Sequence, residues 1–175
     1  VFAWVFSQST NVDLKDGLVV FSVRDLDEIL RPIAMYIILN YVWNVARSSE
    51  RKRTLVVDEA WNIMQYEDSG KFLHGLVKRA RKYHLGVTTI TQDVEDFINN
   101  EHGKAIVTNS SLQLLMKQSP ASIDAMQNVF KLTDQEKYIL LNAPVGQGLF
   151  FAGTEHVGIQ ILASYFEEKV ITTGL

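Results

Sequence analysis

Two adjacent carboxylates, Asp58 and Glu59, follow directly after the apolar run at residues 54–57. In an open α/β sheet, the carboxyl ends of the strands border the ligand crevice. One carboxylate in such a crevice can hold a hydrated Mg²⁺ ion while the second takes a proton from water, and phosphoryl transfer requires both acts. The pair therefore has the form of a Walker B motif followed by a catalytic glutamate. It is also typical of a helix N-terminus, where the macrodipole favours acidic side chains.

An amide side chain, Gln92, follows the next β-rich run, at residues 87–91. If the two strands are neighbours, this amide lies near the carboxylates, where it can contact a γ-phosphate or orient the attacking water. The alternative is a residue that caps a helix or forms a turn.

A basic segment at residues 78–84 separates these two runs and contains Arg79 and Arg81. Cations near a helix C-terminus are favoured by the helix dipole, so a solvated helix face is one interpretation. The other is an arginine that projects across a subunit boundary and stabilises charge on a neighbour's phosphates.

Lys117 and Gln118 follow a further apolar run, at residues 112–116. Both side chains could reach the same crevice and help to bind a nucleotide. The alternative is that they serve only to cap the helix that we predict from Ser119 onward, where Ser-Pro is a favourable helix start.

The elements that position these residues alternate between strands and helices. Strands are predicted at residues 1–6, 18–23, 54–57, 87–91, 112–116, 148–152 and 157–163. Helices are predicted from Asp27 to about Ser48, from Asp68 or Ser69 to near Gly86, over 93–109 with a break near Gly103, over 119–130, and from a capping box at Thr133 to Asn142.

This order predicts an α/β fold with βαβ units and a mainly parallel sheet flanked by helices. The last two strands surround Gly153 and read as a C-terminal antiparallel hairpin.

Composition restricts the classes of function. A length of 175 residues fits one domain, and the lack of cysteine excludes a disulfide scaffold, a thiolate metal site and a cysteine nucleophile. The net charge of −3 argues against a globally basic nucleic-acid binder. The four histidines have no metal-ligand spacing, and the apolar start at Val1 is too short for a membrane span and lacks the layout of a signal peptide.

The sequence contains no GxxxxGK[ST] motif, whose backbone amides cradle phosphates in P-loop proteins. Lys71 and Lys104 each follow a glycine, but neither has the second glycine or the following hydroxyl residue. We therefore expect that the chain does not hold a nucleotide alone in the usual manner.

Taken in order, the motifs resemble the conjugation and type IV secretion ATPases of the VirB/TraC/TraE kind, which belong with the HerA and FtsK translocases. The similar segments are residues 10–14, 18–21, 25–26, 54–61, 79–86, 91–94, 109–118 and 148–153, which together extend over nearly the whole chain. The Asp-Glu-Ala-Trp stretch followed by Arg-Lys, Thr-Gln and Lys-Gln in this order carries the resemblance.

The resemblance implies a RecA-like P-loop ATPase core that uses ATP and Mg²⁺. It implies that Asp58 is the Walker B residue that holds Mg²⁺, Glu59 the catalytic glutamate and Gln92 a sensor of the γ-phosphate. Arg79 and Arg81 match the arginine-containing motif. Because the family's Walker A motif precedes the similar segment, we expect residues 1–175 to be the C-terminal part of a larger motor domain.

The same resemblance implies partners and a location. It implies a dimer or hexamer that works with other type IV secretion components and a coupling ATPase at the cytoplasmic face of the inner membrane, where ATP turnover energises pilus assembly or substrate transfer. Two alternatives stay open. One is a DNA-translocating pump of the HerA/FtsK kind with direct DNA contact, and the other is a non-catalytic interaction module if the chain exists alone.

Overall fold

The computed structural model describes residues 17–48, 50–92 and 94–171. Within these ranges the helices are α1 Arg31–Arg47, α2 Trp61–Met64, α3 Glu67–Ala80, α4 Val94–Asn99, α5 Glu101–Asn109, α6 Ile123–Phe130, α7 Asp134–Asn142 and α8 Tyr165–Ile171. The strands are β1 Arg53–Val57, β2 Leu85–Thr89, β3 Leu112–Met116, β4 Gln147–Ala152 and β5 Glu155–Gln160. The predicted strand at residues 1–6 lies outside the described residues.

Strands β1 and β2 pair in parallel, with Arg53 opposite Leu85 and Val57 opposite Thr89. The chain crosses between them through α2, α3 and a 3-10 turn at Arg81–Tyr83. This arrangement is the predicted βαβ unit, because parallel strands require a crossover connection that a helix normally supplies. The carboxyl ends of both strands therefore lie at the same edge of the sheet.

The other three strands form an antiparallel sheet in the order β3-β4-β5. The C-terminal hairpin of β4 and β5 was predicted, and the α/β class is confirmed. The prediction of a mainly parallel sheet differs from the structure in one respect. Among the described residues, β3 pairs antiparallel with β4, with Leu115 opposite Leu149, and so belongs to this second sheet. A five-residue apolar run does not indicate whether its partner strand will be parallel or antiparallel, because packing with the rest of the chain decides the pairing.

Residues 18–23 were predicted as a strand, and this prediction is wrong for the described part of the chain, where they pair with no strand. Leu18 and Val20 are 83% and 78% exposed. β-rich composition indicates a fit to a pleated surface, but a strand exists only where another backbone accepts its hydrogen bonds.

Helix α1 was predicted to start at Asp27 and begins instead at Arg31. Asp27 shapes the turn before the helix, since its carboxylate accepts a hydrogen bond from the backbone N–H of Ile29 at 2.9 Å. Pro32 lies in the first turn of the helix, where its missing N–H costs nothing. Helix α2 was not predicted, because four residues are too few to show a helical period.

Helices α4 and α5 divide at Asn100 rather than near Gly103. The Asn100 side chain accepts hydrogen bonds from the backbone N–H groups of His102 and Gly103, which makes it the N-cap of α5. It also donates to the Met64 carbonyl oxygen at 3.1 Å and so ties α5 to α2. Gly103 lies inside α5, and its position requires glycine because a Cβ there would stand 1.9 Å from the Phe97 carbonyl oxygen.

Helix α6 begins at Ile123, four residues after the predicted Ser119, whose hydroxyl accepts a hydrogen bond from Ser122 N–H. The predicted capping box of α7 is confirmed, with reciprocal hydrogen bonds between Thr133 and Glu136. Helix α8 was not predicted, and each of its residues is exposed.

The main core lies between the parallel strands and the helices around them. Its buried residues are Met35, Leu39, Val57, Ala60, Ile63, Met64, Leu73, Phe97 and Ile106. A second core, formed by Leu115, Ile123, Met126, Leu132, Leu140, Leu149 and Phe151, packs helices α6 and α7 against the antiparallel sheet. Among the described residues, no helix has both the length and the apolar character that a bilayer crossing needs.

Glu136, in the capping box of α7, gives the stability of the fold a pH dependence. Burial raises the pKa of Glu136, but hydrogen bonds from the backbone and hydroxyl of Thr133, together with the neighbouring His156, outweigh this effect and leave the pKa below its ordinary value of 4.5. A lowered folded-state pKa means that the stabilisation is complete above 4.5 and is lost as the pH falls through the folded-state pKa.

We therefore expect Glu136→Gln to lower the free energy of unfolding by about 1 kcal/mol at neutral pH and to have little effect in acid. Urea denaturation at both ends of this range measures the difference. Glu101→Gln is the matched control, because Glu101 is an exposed glutamate in the first turn of another helix. An equal loss for Glu136→Gln in acid and at neutral pH would contradict the assignment.

Candidate functional site

The carboxyl ends of β1 and β2 are joined beyond the last paired residues of the strands. The N–H of Ile90 donates to the Val57 carbonyl oxygen at 2.9 Å, and the N–H of Ala60 donates to the Ile90 carbonyl oxygen at 2.8 Å. Ala60 is fully buried and Val57 is 8% exposed, so both residues are anchored in the main core. Asp58 and Glu59 therefore form a short turn between two fixed points, and Gln92 follows two residues after the shared partner Ile90.

The backbone of Glu59 adopts a left-handed conformation, with φ = +47°. This region is unfavourable for a residue with a Cβ, by about 1–2 kcal/mol. Local hydrogen bonds support the turn, because the Asp58 carboxylate accepts from Glu59 N–H at 3.0 Å and the Glu59 carbonyl oxygen accepts from Asn62 N–H at 2.9 Å. Strained backbone that the surrounding structure holds in place is found most often at functional sites.

The Glu59 side chain is also held in place. The indole Nε1–H of Trp61 donates a hydrogen bond to Glu59 Oε2 at 2.8 Å. Trp61 is partly buried and packs against the main core. The sequence analysis did not identify this hydrogen bond, because residue spacing does not show which way an indole points.

Glu59 and Gln92 line the same cleft, which has a volume of about 460 Å³. The expectation that the two strand ends bring these side chains together is met by this geometry. The rest of the wall consists of Trp61, Val94, Glu95, Ser119, Ala121 and Ser122. Sequence reasoning missed Glu95 and the two serines. Glu95 lies in the first turn of α4, directly after the strand end, and this position is the signal that could have identified it.

Asp58 is exposed at the rim of the turn and does not line this cleft. Its Oδ1 atom receives the Glu59 N–H, which leaves the other carboxylate oxygen for a ligand. Within the described ranges, no group of three or more acidic or histidine side chains could hold a metal ion. A single carboxylate fits Mg²⁺ nonetheless, because this ion commonly binds one or two carboxylates, with water and substrate phosphates as its other ligands.

Lys117 and Gln118 lie one step away from the cleft. The Gln118 backbone N–H donates to the Leu140 carbonyl oxygen at 3.1 Å, and its side-chain Nε2 donates to the Met116 carbonyl oxygen at 3.2 Å. Lys117 is exposed. Neither residue lines the cleft, although Ser119, which follows Gln118 in the chain, does.

Arg79 and Arg81 do not line the cleft either. The Arg79 Nε atom donates to the Gly75 carbonyl oxygen at 2.8 Å, and its guanidinium lies 5.1 Å from the ring centroid of Trp43. Arg79 thereby borders a second groove, of about 1120 Å³, between α1 and α3. Arg81 is exposed at the start of the 3-10 turn.

Comparison with known proteins gives consistent matches. Residues 1–147 match the family model of the TraG P-loop domain. The fold matches the structure of VirB4 of Thermoanaerobacter pseudethanolicus with a TM-score of 0.82 and 31% sequence identity over 90% of this chain. The type IV secretion system protein virB4 of Bartonella quintana is 24% identical over 137 residues, or 76% of this chain. The DNA import protein CedB of Sulfolobus acidocaldarius is 32% identical over 88 residues, or 47% of this chain.

The chain spans 45% of the matched VirB4 structure, 17% of the Bartonella protein and 15% of CedB. The match to VirB4 confirms the predicted type of α/β fold. With the family model matched over residues 1–147 and the fold shared with VirB4, the chain belongs to the TraG P-loop domain family, among the type IV secretion ATPases of the VirB4 and TraG kind.

Proposed function

We propose that this chain is the water-activating part of a type IV secretion motor that hydrolyses ATP to energise pilus assembly or substrate transfer. One observation carries the proposal. A carboxylate and an amide, Glu59 and Gln92, line one cleft at the carboxyl ends of two parallel strands. Such crevices are the usual ligand sites of open α/β sheets.

Each polar residue has a separate task in this proposal. Glu59 accepts a proton from the attacking water, and Gln92 orients this water against the γ-phosphate. Asp58 holds Mg²⁺, which neutralises phosphate charge when bound. Lys117 and Gln118 support nucleotide binding from the loop that leads to Ser119. The phosphate-cradling GxxxxGK[ST] motif comes from sequence outside these 175 residues, which do not contain it.

The proposed setting follows from the relatives. Two of them are named as type IV secretion system proteins, which supports association with other components of such a system. Our proposal includes a coupling ATPase among these components. We place the motor at the cytoplasmic face of the inner membrane as a dimer or hexamer. In such an assembly the exposed arginines of one subunit can approach the cleft of the next.

The central test is Glu59→Gln in the full-length protein that contains this chain. We expect kcat for ATP hydrolysis to fall by about 100-fold or more, because a general base contributes roughly 10²–10⁴-fold, while MgATP binding persists. Steady-state phosphate release and nucleotide titration measure the two quantities. Glu155→Gln, an exposed glutamate on β5, is the control and retains turnover. Unchanged turnover in Glu59→Gln would remove the proposed role.

Of the two arginines, the contacts favour Arg81 as the one that reaches a neighbour's phosphates. Both side chains are exposed, but Arg79 is engaged by the Gly75 carbonyl oxygen and the Trp43 ring, whereas Arg81 makes no comparable contact among the described residues. An arginine finger contributes roughly 10³–10⁵-fold to turnover. It acts in trans only if each site takes its glutamate from one subunit and its arginine from another.

We therefore expect Arg81→Ala to abolish most ATP hydrolysis and mixing with Glu59→Gln to restore part of it. In mixed oligomers some sites combine an intact Glu59 with an intact Arg81. Turnover is measured across a series of mixing ratios, with each variant alone as control. A linear sum of the two separate activities at every ratio would show that Arg81 does not act in trans.

A second candidate function is DNA translocation, which the similarity to the DNA import protein CedB supports. In this case we expect DNA to stimulate the ATPase activity and the stimulation to fall steeply with salt, since counterion release dominates binding to DNA. ATP hydrolysis by the full-length protein with and without DNA, over about 50–200 mM salt, measures this effect. Equal ATP turnover with and without DNA would contradict DNA translocation and leave the secretion motor as the candidate function.

A further inference from the structure

We infer that Trp61 is a positioning residue for Glu59: its indole N–H holds one carboxylate oxygen and leaves the other for the attacking water. The inference rests on the proposed function, because it assigns a second residue to the same proton transfer. The inference adds a residue to those already given roles, the acidic pair and the glutamine. Trp61 exchanges no proton itself and acts only by positioning Glu59. An indole N–H is a donor only and cannot serve as a base.

The contact has the geometry of a charge-assisted hydrogen bond. Trp61 Nε1 lies 2.8 Å from Glu59 Oε2, within the range for an N–H donor to a carboxylate. Oε2 is thereby occupied by a fixed donor. Oε1 is the oxygen left to accept the proton of a water in the cleft that both side chains line.

The fixed backbone around Glu59 limits where its carboxylate can lie relative to Trp61. The turn is fixed by the buried residues Val57 and Ala60, and Glu59 itself has φ = +47°. Three flexible side-chain torsions still separate this backbone from the carboxylate. The hydrogen bond to Trp61 restricts them, and Trp61 is itself restrained because it begins helix α2 and packs on the main core.

The two described tryptophans make different contacts. Trp43 is 5% exposed, lies edge-to-face with Tyr83 at 5.0 Å between centroids, and is covered by the Arg79 guanidinium. These contacts engage its ring. Trp61 is less buried, and its N–H engages a carboxylate of the candidate site. A role in packing alone would not require that donor.

The test is a double-mutant cycle in the full-length protein with Trp61→Phe, Glu59→Gln and both together. Trp61→Phe keeps an aromatic ring and removes the N–H. We expect it to lower kcat by about 10–100-fold with little change in KM for ATP, because misplacement of a reacting group by about 1 Å costs on this scale. In the Glu59→Gln background the same change should cause no further loss, since residues that act as a unit are not additive.

Trp61→His provides a rescue, because it retains a ring N–H, and we expect it to keep more turnover than Trp61→Phe. If Trp61→Phe does not fold, the cycle is run with Trp61→Leu, which also lacks the N–H. Tyr138→Phe, on the exposed face of α7, is the control and leaves kcat unchanged. Thermal unfolding of every variant separates loss of turnover from loss of fold.

The outcomes distinguish the two proposals. Wild-type turnover in Glu59→Gln removes both the general base and its positioning residue. A large loss in Glu59→Gln combined with wild-type kcat in Trp61→Phe overturns only the role of Trp61. An equal fractional loss from Trp61→Phe in both backgrounds also overturns it, because the residue then acts through the fold and not through Glu59.

Discussion

Two backbone hydrogen bonds at the carboxyl ends of β1 and β2 determine the rest of the candidate site. Ile90, the residue after β2, donates to Val57 and accepts from Ala60. This single residue therefore fixes the backbone on both sides of the Asp58–Glu59 turn. The parallel pairing upstream sets this register. Without it, the acidic turn and Gln92 would lie on separate loops. With it, Glu59 and Gln92 share a cleft, and Trp61 in the wall of this cleft packs against the main core.

The turn itself combines strain with anchorage. Glu59 has an unfavourable backbone conformation, and its neighbours Val57 and Ala60 are buried on either side. Core packing and the Ile90 hydrogen bonds offset the cost of the left-handed residue, which is small relative to the total stability of a domain. The indole of Trp61 extends the same restraint to the carboxylate. The Glu59 carboxylate is thus held before any ligand enters, as electrostatic preorganisation requires.

The described chain separates its acidic cleft from its exposed arginines. Helix α3 runs between β1 and β2, so its basic C-terminal end emerges at the opposite end of the strands from Glu59 and Gln92. A crossover connection makes this separation unavoidable, because the helix must return the chain to the start of the second parallel strand. Arg79 and Arg81 therefore lie away from the cleft that Glu59 and Gln92 line.

How much the sequence could predict varied with the range of the interactions involved. Local signals worked, as in the capping box at Thr133 and the strand at residues 54–57. They failed at residues 18–23, which have β-rich composition but no strand partner among the described residues. They also failed at Gly103, which was predicted to break a helix but lies inside one, where the nearby Phe97 carbonyl oxygen leaves no room for a Cβ.

By itself, the sequence determined the βαβ unit and the order of acidic pair, arginines and glutamine, because apolar runs and turn residues act over a few positions. Only the tertiary structure decided that β3 joins an antiparallel sheet, that Glu95 enters the cleft and that Trp61 binds Glu59. Partner strands and side-chain directions depend on packing between segments distant in the chain, which no local pattern specifies.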